Sequence, residues 1–68
     1  MIVLSRFRVG ADAEATFVAQ AQAAIAVLRA RDGLLSLDFG RNLDEPDLWT
    51  ITTRWADVGS YRRALSGI

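Results

Sequence analysis

The chain contains no cysteine, no histidine and no lysine, and only one proline among 68 residues. Without Cys there is no disulfide framework and no thiolate metal site. Without His, the commonest transition-metal ligand and the usual general base near neutral pH are also missing. Eight acids balance eight bases for a formal net charge of zero, so the basic footprint of a nucleic-acid binder is absent. All the bases are Arg, which together with abundant Ala reads as codon composition before it reads as function. The longest strongly apolar stretch, around Ala21 to Leu28, falls well short of the roughly 20 residues a membrane span needs. Met1-Ile2-Val3-Leu4-Ser5-Arg6 lacks the basic start and long apolar core of a signal peptide. These absences lead to the expectation of a cytoplasmic protein with no membrane or nucleic-acid partner. The glycines, at 10, 33, 40, 59 and 67, are too dispersed for a phosphate-cradling loop.

What is present reads as one small α+β domain spanning residues 1–68. Ile2 to Val9 alternates with period two. Val3, Ser5, Phe7 and Val9 fall on a core face, and Ile2, Leu4, Arg6 and Arg8 on the other, as in a strand. Gly10-Ala11-Asp12 breaks it, and Asp12 is expected to cap a helix from Ala13 to Arg31. In that helix Phe17, Val18, Ala21, Ala24, Ile25 and Leu28 recur at three- and four-residue spacing as one buried stripe. Arg29 and Arg31 suit its last turn, and Gly33 a left-handed stop. Leu34 to Arg41 alternates again, with Leu35, Leu37 and Phe39 expected inward. A polar turn, Asn42 to Asp47, leads to a strand from Leu48 to Trp55. Trp49, Ile51, Thr53 and Trp55 share its core face, and Leu48, Thr50, Thr52 and Arg54 the other. Asp57 can cap a second helix carrying Val58, Tyr61, Ala64 and Leu65 on one side, with Ser66-Gly67 as its stop.

Strand, helix, strand, strand, helix is a ferredoxin-like split β-α-β arrangement short of its final strand. In the complete arrangement the first strand lies between the third and a fourth, so here its edge is left unpaired, which proteins usually avoid. The expectation is that the closing strand comes from residues beyond Ile68 or, less favoured, from another chain. A domain of this size buries only around 60% of its unfolded surface and usually needs a staple. With disulfides and thiolate metals gone, association with a second copy is the one left.

The strand Trp49-Thr50-Ile51-Thr52-Thr53-Arg54-Trp55 followed by Ala56-Asp57-Val58-Gly59-Ser60-Tyr61-Arg62-Arg63-Ala64-Leu65 resembles the strand-to-helix passage of antibiotic biosynthesis monooxygenase domains. Arg31-Asp32-Gly33-Leu34 resembles their first helix-to-strand passage. The resemblance covers nearly the whole chain and lacks the last strand. It implies a dimeric α+β barrel, in which two sheets pack through their helix-free faces and each subunit keeps a pocket between sheet and helices. It also implies kinship with cofactor-independent oxygenases of polyphenolic substrates, with haem-degrading enzymes, and with proteins of no established activity. The haem branch has an Asn where Ser5 stands and a Trp where Ala64 stands, and its axial His lies beyond the positions available here. Haem is therefore not expected, nor any other cofactor.

Within that setting the residues divide into two groups. Ser5, Phe17, Phe39, Trp55 and Tyr61 are the candidate substrate-pocket residues: three aromatic walls, with Ser5 and Tyr61 as polar handles for a small aromatic molecule. Three of them have a plainer alternative. Trp55 can be a wedge between sheet and second helix, Tyr61 a core residue, and the Ser5 hydroxyl can bond to backbone or to Tyr61. Arg6, Arg8, Asp38 and Arg54 fall on the opposite sheet face, as a cross-strand charge set on solvated or dimer-facing strands. Asp44, Glu45 and Asp47 form an acidic loop too short to supply the ligand set of a hard cation, so no metal is expected. RNA-binding domains share the split β-α-β fold, but their basic-Gly-aromatic strand signature does not occur in Leu48 to Trp55. The leading reading is a cofactor-independent monooxygenase-like protein; the alternative is a non-catalytic dimeric barrel that binds a small ligand or serves as an interaction module. No residue stands out as a general base.

Sedimentation equilibrium at micromolar concentration is expected to return a dimer, and a stable, cooperatively folding monomer would overturn that expectation.

Overall fold

The computed structural model describes residues 1–66 and contains β1 (Ile2–Arg8), α1 (Glu14–Arg29), β2 (Leu34–Arg41), β3 (Leu48–Trp55) and α2 (Val58–Leu65). The sheet order is β1-β3-β2 with every neighbouring pair antiparallel, the ferredoxin-like α+β arrangement expected from the strand and helix order. β3 is the central strand. Its ladder sets Phe7 opposite Trp49, Ser5 opposite Ile51 and Val3 opposite Thr53 on one side. On the other side it sets Phe39 opposite Ile51 and Leu37 opposite Thr53. Because side chains alternate across a strand, these residues share one face, and both helices pack on it. Ala21 and Ile25 of α1, Leu37, Leu48, Trp55 and Ala64 of α2 are the buried apolar residues.

Trp55 closes one end of this layer. It is 1% exposed, its ring lies 5.7 Å from that of Tyr61, and its indole N–H donates to Thr53 Oγ1 at 2.8 Å. A buried indole N–H needs such an acceptor, and the β-strand spacing of two places Thr53 on the same face to provide it. Gly33 holds φ +89°, a region that L side chains seldom enter, and ends the turn after α1 as its position predicts. A methyl group there would also collide with the Ser60 hydroxyl, so α2 can approach this turn only because residue 33 is Gly.

Four local expectations are corrected. Asp12 does not cap α1: a single 3-10 turn, Ala11–Ala13, precedes the helix, Ala13 is its N-cap, and no side-chain cap bond forms. The helix ends at Arg29, which leaves Arg31 in the following turn. Leu35 is 63% exposed rather than inward, because a register shift between Leu34 and Ser36 takes it out of the alternating row. Leu48 is buried although alternation puts it on the outer face. The loop before it turns back, with Leu48 N–H donating to Glu45 O and Asn42 N–H to Leu48 O. The expected stop at Gly67 lies outside the described residues; Ser66 is the C-cap of α2.

Asp57 caps α2 as its sequence position predicts, accepting the Ser60 N–H at 2.7 Å. That backbone bond, reinforced by the Ser60 side chain, holds the Asp57 carboxyl below the ordinary carboxylate range. A carboxyl whose folded value is depressed adds stability above its unfolded value, near pH 4, and loses it as pH falls through the folded one. Asp57→Ala is therefore expected to lower Tm at pH 7. The gap between variant and parent should close as the pH is taken below about 4. Thermal melts followed by circular dichroism across this range check it, and a gap unchanged at low pH would show that the carboxylate charge is not what stabilises the cap.

Candidate functional site

The helix-facing side of the sheet carries its aromatic residues in two separate groups. At one end Phe17 of α1 sits over the sheet with its ring 5.4 Å from Phe7, 5.8 Å from Trp49 and 6.1 Å from Phe39. Phe39 and Trp49 stack at 5.3 Å with 28° between their planes. Such offset and tilted pairs are the favoured aromatic geometries. The β1–β3 register makes Phe7 and Trp49 cross-strand neighbours, and Phe17, the first large apolar residue of α1, reaches them from above. None of the four rings is fully buried, and Phe7 keeps 38% of its surface exposed. At the other end Trp55 and Tyr61 form their own pair.

Of the five residues singled out for a pocket, the structure thus brings Phe17 and Phe39 together, and Trp55 and Tyr61 together. Trp55 is enclosed, with its N–H satisfied, which matches the wedge reading of that residue. Ser5 is half-buried between the two groups, opposite Ile51. Phe7 and Trp49 complete the aromatic cluster. Both stood on the predicted core faces, and what the sequence did not show was the register that makes them neighbours of Phe17.

Charged residues ring the open end of the cluster. Arg41 places its guanidinium carbon 4.9 Å from the centre of the Trp49 ring and pairs with Glu14 in the first turn of α1. A cation over an indole face is attracted by the ring's quadrupole. Arg8 bonds Glu45 Oε1 at 2.9 Å and Asp47 Oδ1 at 3.0 Å, so β1 is tied to two carboxylates of the acidic loop. Two clefts meet at Ala11 and Glu14. One, of about 560 Å³, runs along α1 past Ala15, Val18, Ala19 and Gln22. The other, of about 220 Å³, is bounded by Val9, Arg41, Pro46 and Asp47. Neither Ser5 nor Tyr61 lines any of the five clefts described.

On the helix-free face Ile2 and Leu4 are 65% and 60% exposed. The ladder sets Arg6 opposite Thr50, Asp38 opposite Thr52, and Arg54 opposite Ile2 and Ser36. Arg6, Arg8, Asp38 and Arg54 therefore do not face one another across the strands, and among the described residues no ion pair joins any two of them. Among the described residues no cluster of three or more acidic side chains is arranged to hold a metal ion, and no helix is long and apolar enough to cross a membrane.

Comparison with known proteins agrees with this architecture. No curated protein matches the chain. The crystal structure of a conserved protein from Methanosarcina mazei Go1 superposes with a TM-score of 0.89 at 18% sequence identity. The match covers 96% of this chain and 64% of that one, so the chain spans under two thirds of the length of this structural relative. At that identity the likeness establishes the fold. The family described as antibiotic biosynthesis monooxygenase matches residues 1–67, nearly every position over which the β3–α2 passage and the Gly33 turn shape the domain, and the chain belongs to that family.

Proposed function

We propose that the chain is the core of a homodimeric small-molecule-binding domain that takes a flat, electron-rich aromatic ligand and oxygenates it without a metal or flavin. The observation that carries this reading is the half-open cluster of Phe7, Phe17, Phe39 and Trp49. Four rings meeting at a helix–sheet seam offer a ligand ring the same offset and tilted contacts they make with each other. Ser5, on the same sheet face, is the proposed polar handle, whereas Tyr61 belongs to the Trp55 pair at the other end and is not part of this site.

The chemistry asks little of the protein beyond this. A ring-activated CH₂ group gives up two hydrogens and becomes a carbonyl; one atom of O₂ enters the substrate and the other leaves as water. The substrate supplies all four electrons. An apolar wall helps by removing water from the electron-rich ring and by holding it in one orientation. Glu14, the carboxylate lining this end, is committed to Arg41 and is not assigned the role of base. Two observations favour the alternative of a non-catalytic binding or interaction module: Trp55 fills its own space, and Ser5 and Tyr61 line none of the clefts. The dimer is proposed to form through the helix-free face, where Ile2 and Leu4 stand exposed.

A polyphenolic probe with an activated CH₂, titrated under air, separates these readings. Quenching of Trp49 fluorescence is expected in the parent and lost in Trp49→Phe. Phe17→Ala is expected to weaken binding about tenfold, close to 1.4 kcal/mol. Oxygen-electrode traces should show one O₂ consumed per molecule of probe. Binding without oxygen uptake would leave the non-catalytic module, and a probe that does not bind would sink the aromatic-ligand reading in both its forms.

A further inference from the structure

At the other end of the molecule the turn after α1 meets α2 in a cleft of about 230 Å³, lined by Ala30, Arg31, Asp32, Ser60, Arg63 and Ala64. Its floor is fixed. Ser60 and Ala64 are buried, Ser60 lies against Gly33, and Ala56 N–H donates to Gly33 O at 2.8 Å. Two arginines, Arg31 and Arg63, line this cleft. Arg63 Nη2 donates to Ser60 Oγ at 3.3 Å. Arg31 Nε is withdrawn from solvent and has no acceptor among the described residues.

A buried donor on a charged group without an acceptor is costly, and native structures seldom leave one. The ion pairs among the described residues use Arg8 and Arg41, so neither Arg31 nor Arg63 has a carboxylate within pairing distance there. Asp57, the N-cap of the same helix, accepts the Ser60 N–H at 2.7 Å, and the nearby Arg63 charge helps hold its carboxyl low, so it offsets part of that charge without pairing with it. Asp32 is the one carboxylate lining the cleft, and against two guanidinium groups it leaves a net positive charge. The C-terminal end of α1 opposes an anion with roughly half an elementary charge, which two full charges outweigh.

We propose that this cleft binds an oxyanion group, the phosphate or carboxylate of a small ligand. Arg31 Nε–H and the Arg63 guanidinium donate to separate oxygens, and Ser60 Oγ orients Arg63. The planar guanidinium fork matches both groups, which a lysine ammonium does not. The site shares no lining residue with the aromatic cluster, so it stands whether or not that cluster binds a substrate.

The test follows the Arg31 Nε–H resonance of the full ¹⁵N-labelled chain while inorganic phosphate or acetate replaces chloride at constant ionic strength. A saturable shift with phosphate or acetate is expected, and whichever binds more tightly identifies a phosphate-bearing or a carboxylate-bearing ligand. Arg63→Gln, a change at an exposed residue that should preserve the amide spectrum of the fold, is expected to weaken the response about tenfold or more. Arg31→Lys keeps the charge but loses the Nε–H. Followed through the backbone amides of Asp32 and Ser60, it should weaken the response by a similar factor. A response to phosphate and acetate no larger than that to chloride would overturn the proposal. So would either variant titrating like the parent.

Discussion

Trp55 holds together parts of the chain that are otherwise far apart in sequence. It ends the central strand, and its backbone N–H donates to Met1 O at 2.8 Å while its carbonyl accepts from the Met1 ammonium at 3.0 Å. The next residue, Ala56, bonds Gly33 in the turn after α1. The Trp55 side chain lies against Tyr61 of α2 and bonds back to Thr53. The start of β1, the α1–β2 turn and α2 are thus all tied to the Trp55-Ala56 end of the central strand. Emptying a buried aromatic site typically costs about 3–5 kcal/mol, comparable with all that a core of this size supplies. A side chain at Gly33 would have nowhere to go, because its Cβ would meet Ser60.

The opposite end of the sheet is organised differently. Aromatic rings replace the buried indole, and the elements are tied by Arg8 to Glu45 and Asp47 and by Arg41 to Glu14. These pairs are exposed, and exposed ion pairs contribute little, with a median of about 0–1 kcal/mol. The molecule therefore has a closed end and a more yielding one. A guest the size of an aromatic ring needs a region that is not packed to completion, and such regions lie in the less stable parts of a fold. This is why the half-exposed rings, and not Trp55, are the better platform for a small molecule.

Much of this was legible in the sequence because one period governs each element. Alternation in β1 and β3 identified the faces carrying Ser5, Phe7, Trp49 and Trp55, and the Gly33 and Asp57 positions identified a helix stop and a helix cap. Alternation failed where the backbone departs from a regular ladder. Leu35 left the inner row at a register shift, and Leu48 was covered by the loop that folds back over it. Asp12 failed as a cap because an extra 3-10 turn moved the helix start past it. The candidate site was legible only in part for a related reason. A strand's own pattern gives the face of each residue but not its level along the sheet. Phe17 and Phe39 were thus grouped with Trp55 and Tyr61, when the register sets the pairs at opposite ends.

The same register bears on the proposed dimer. Arg8 is drawn aside to the acidic loop, which leaves Ile2, Leu4, Arg6, Asp38 and Arg54 with the half-buried Thr50 and Thr52 on the helix-free face. In a two-fold assembly the same patch meets itself, so each charge must find its complement elsewhere on that patch. A two-fold axis along the central strand lays β1 of one protomer over β2 of its partner. Arg6 is level with Thr50 and Asp38 with Thr52, two residues apart on β3, so that arrangement brings unlike charges to neighbouring levels. An axis across the strands would instead set β1 over β1, and would bring Arg6 to its own copy where it crosses at that level. Burying like charges carries a heavy desolvation cost with no compensating attraction. The axis along β3 has its own like-charge contact, since it lays β3 over β3 and Arg54 over its copy. A dimer through this face therefore needs an offset or a crossing angle that moves Arg54 off the axis.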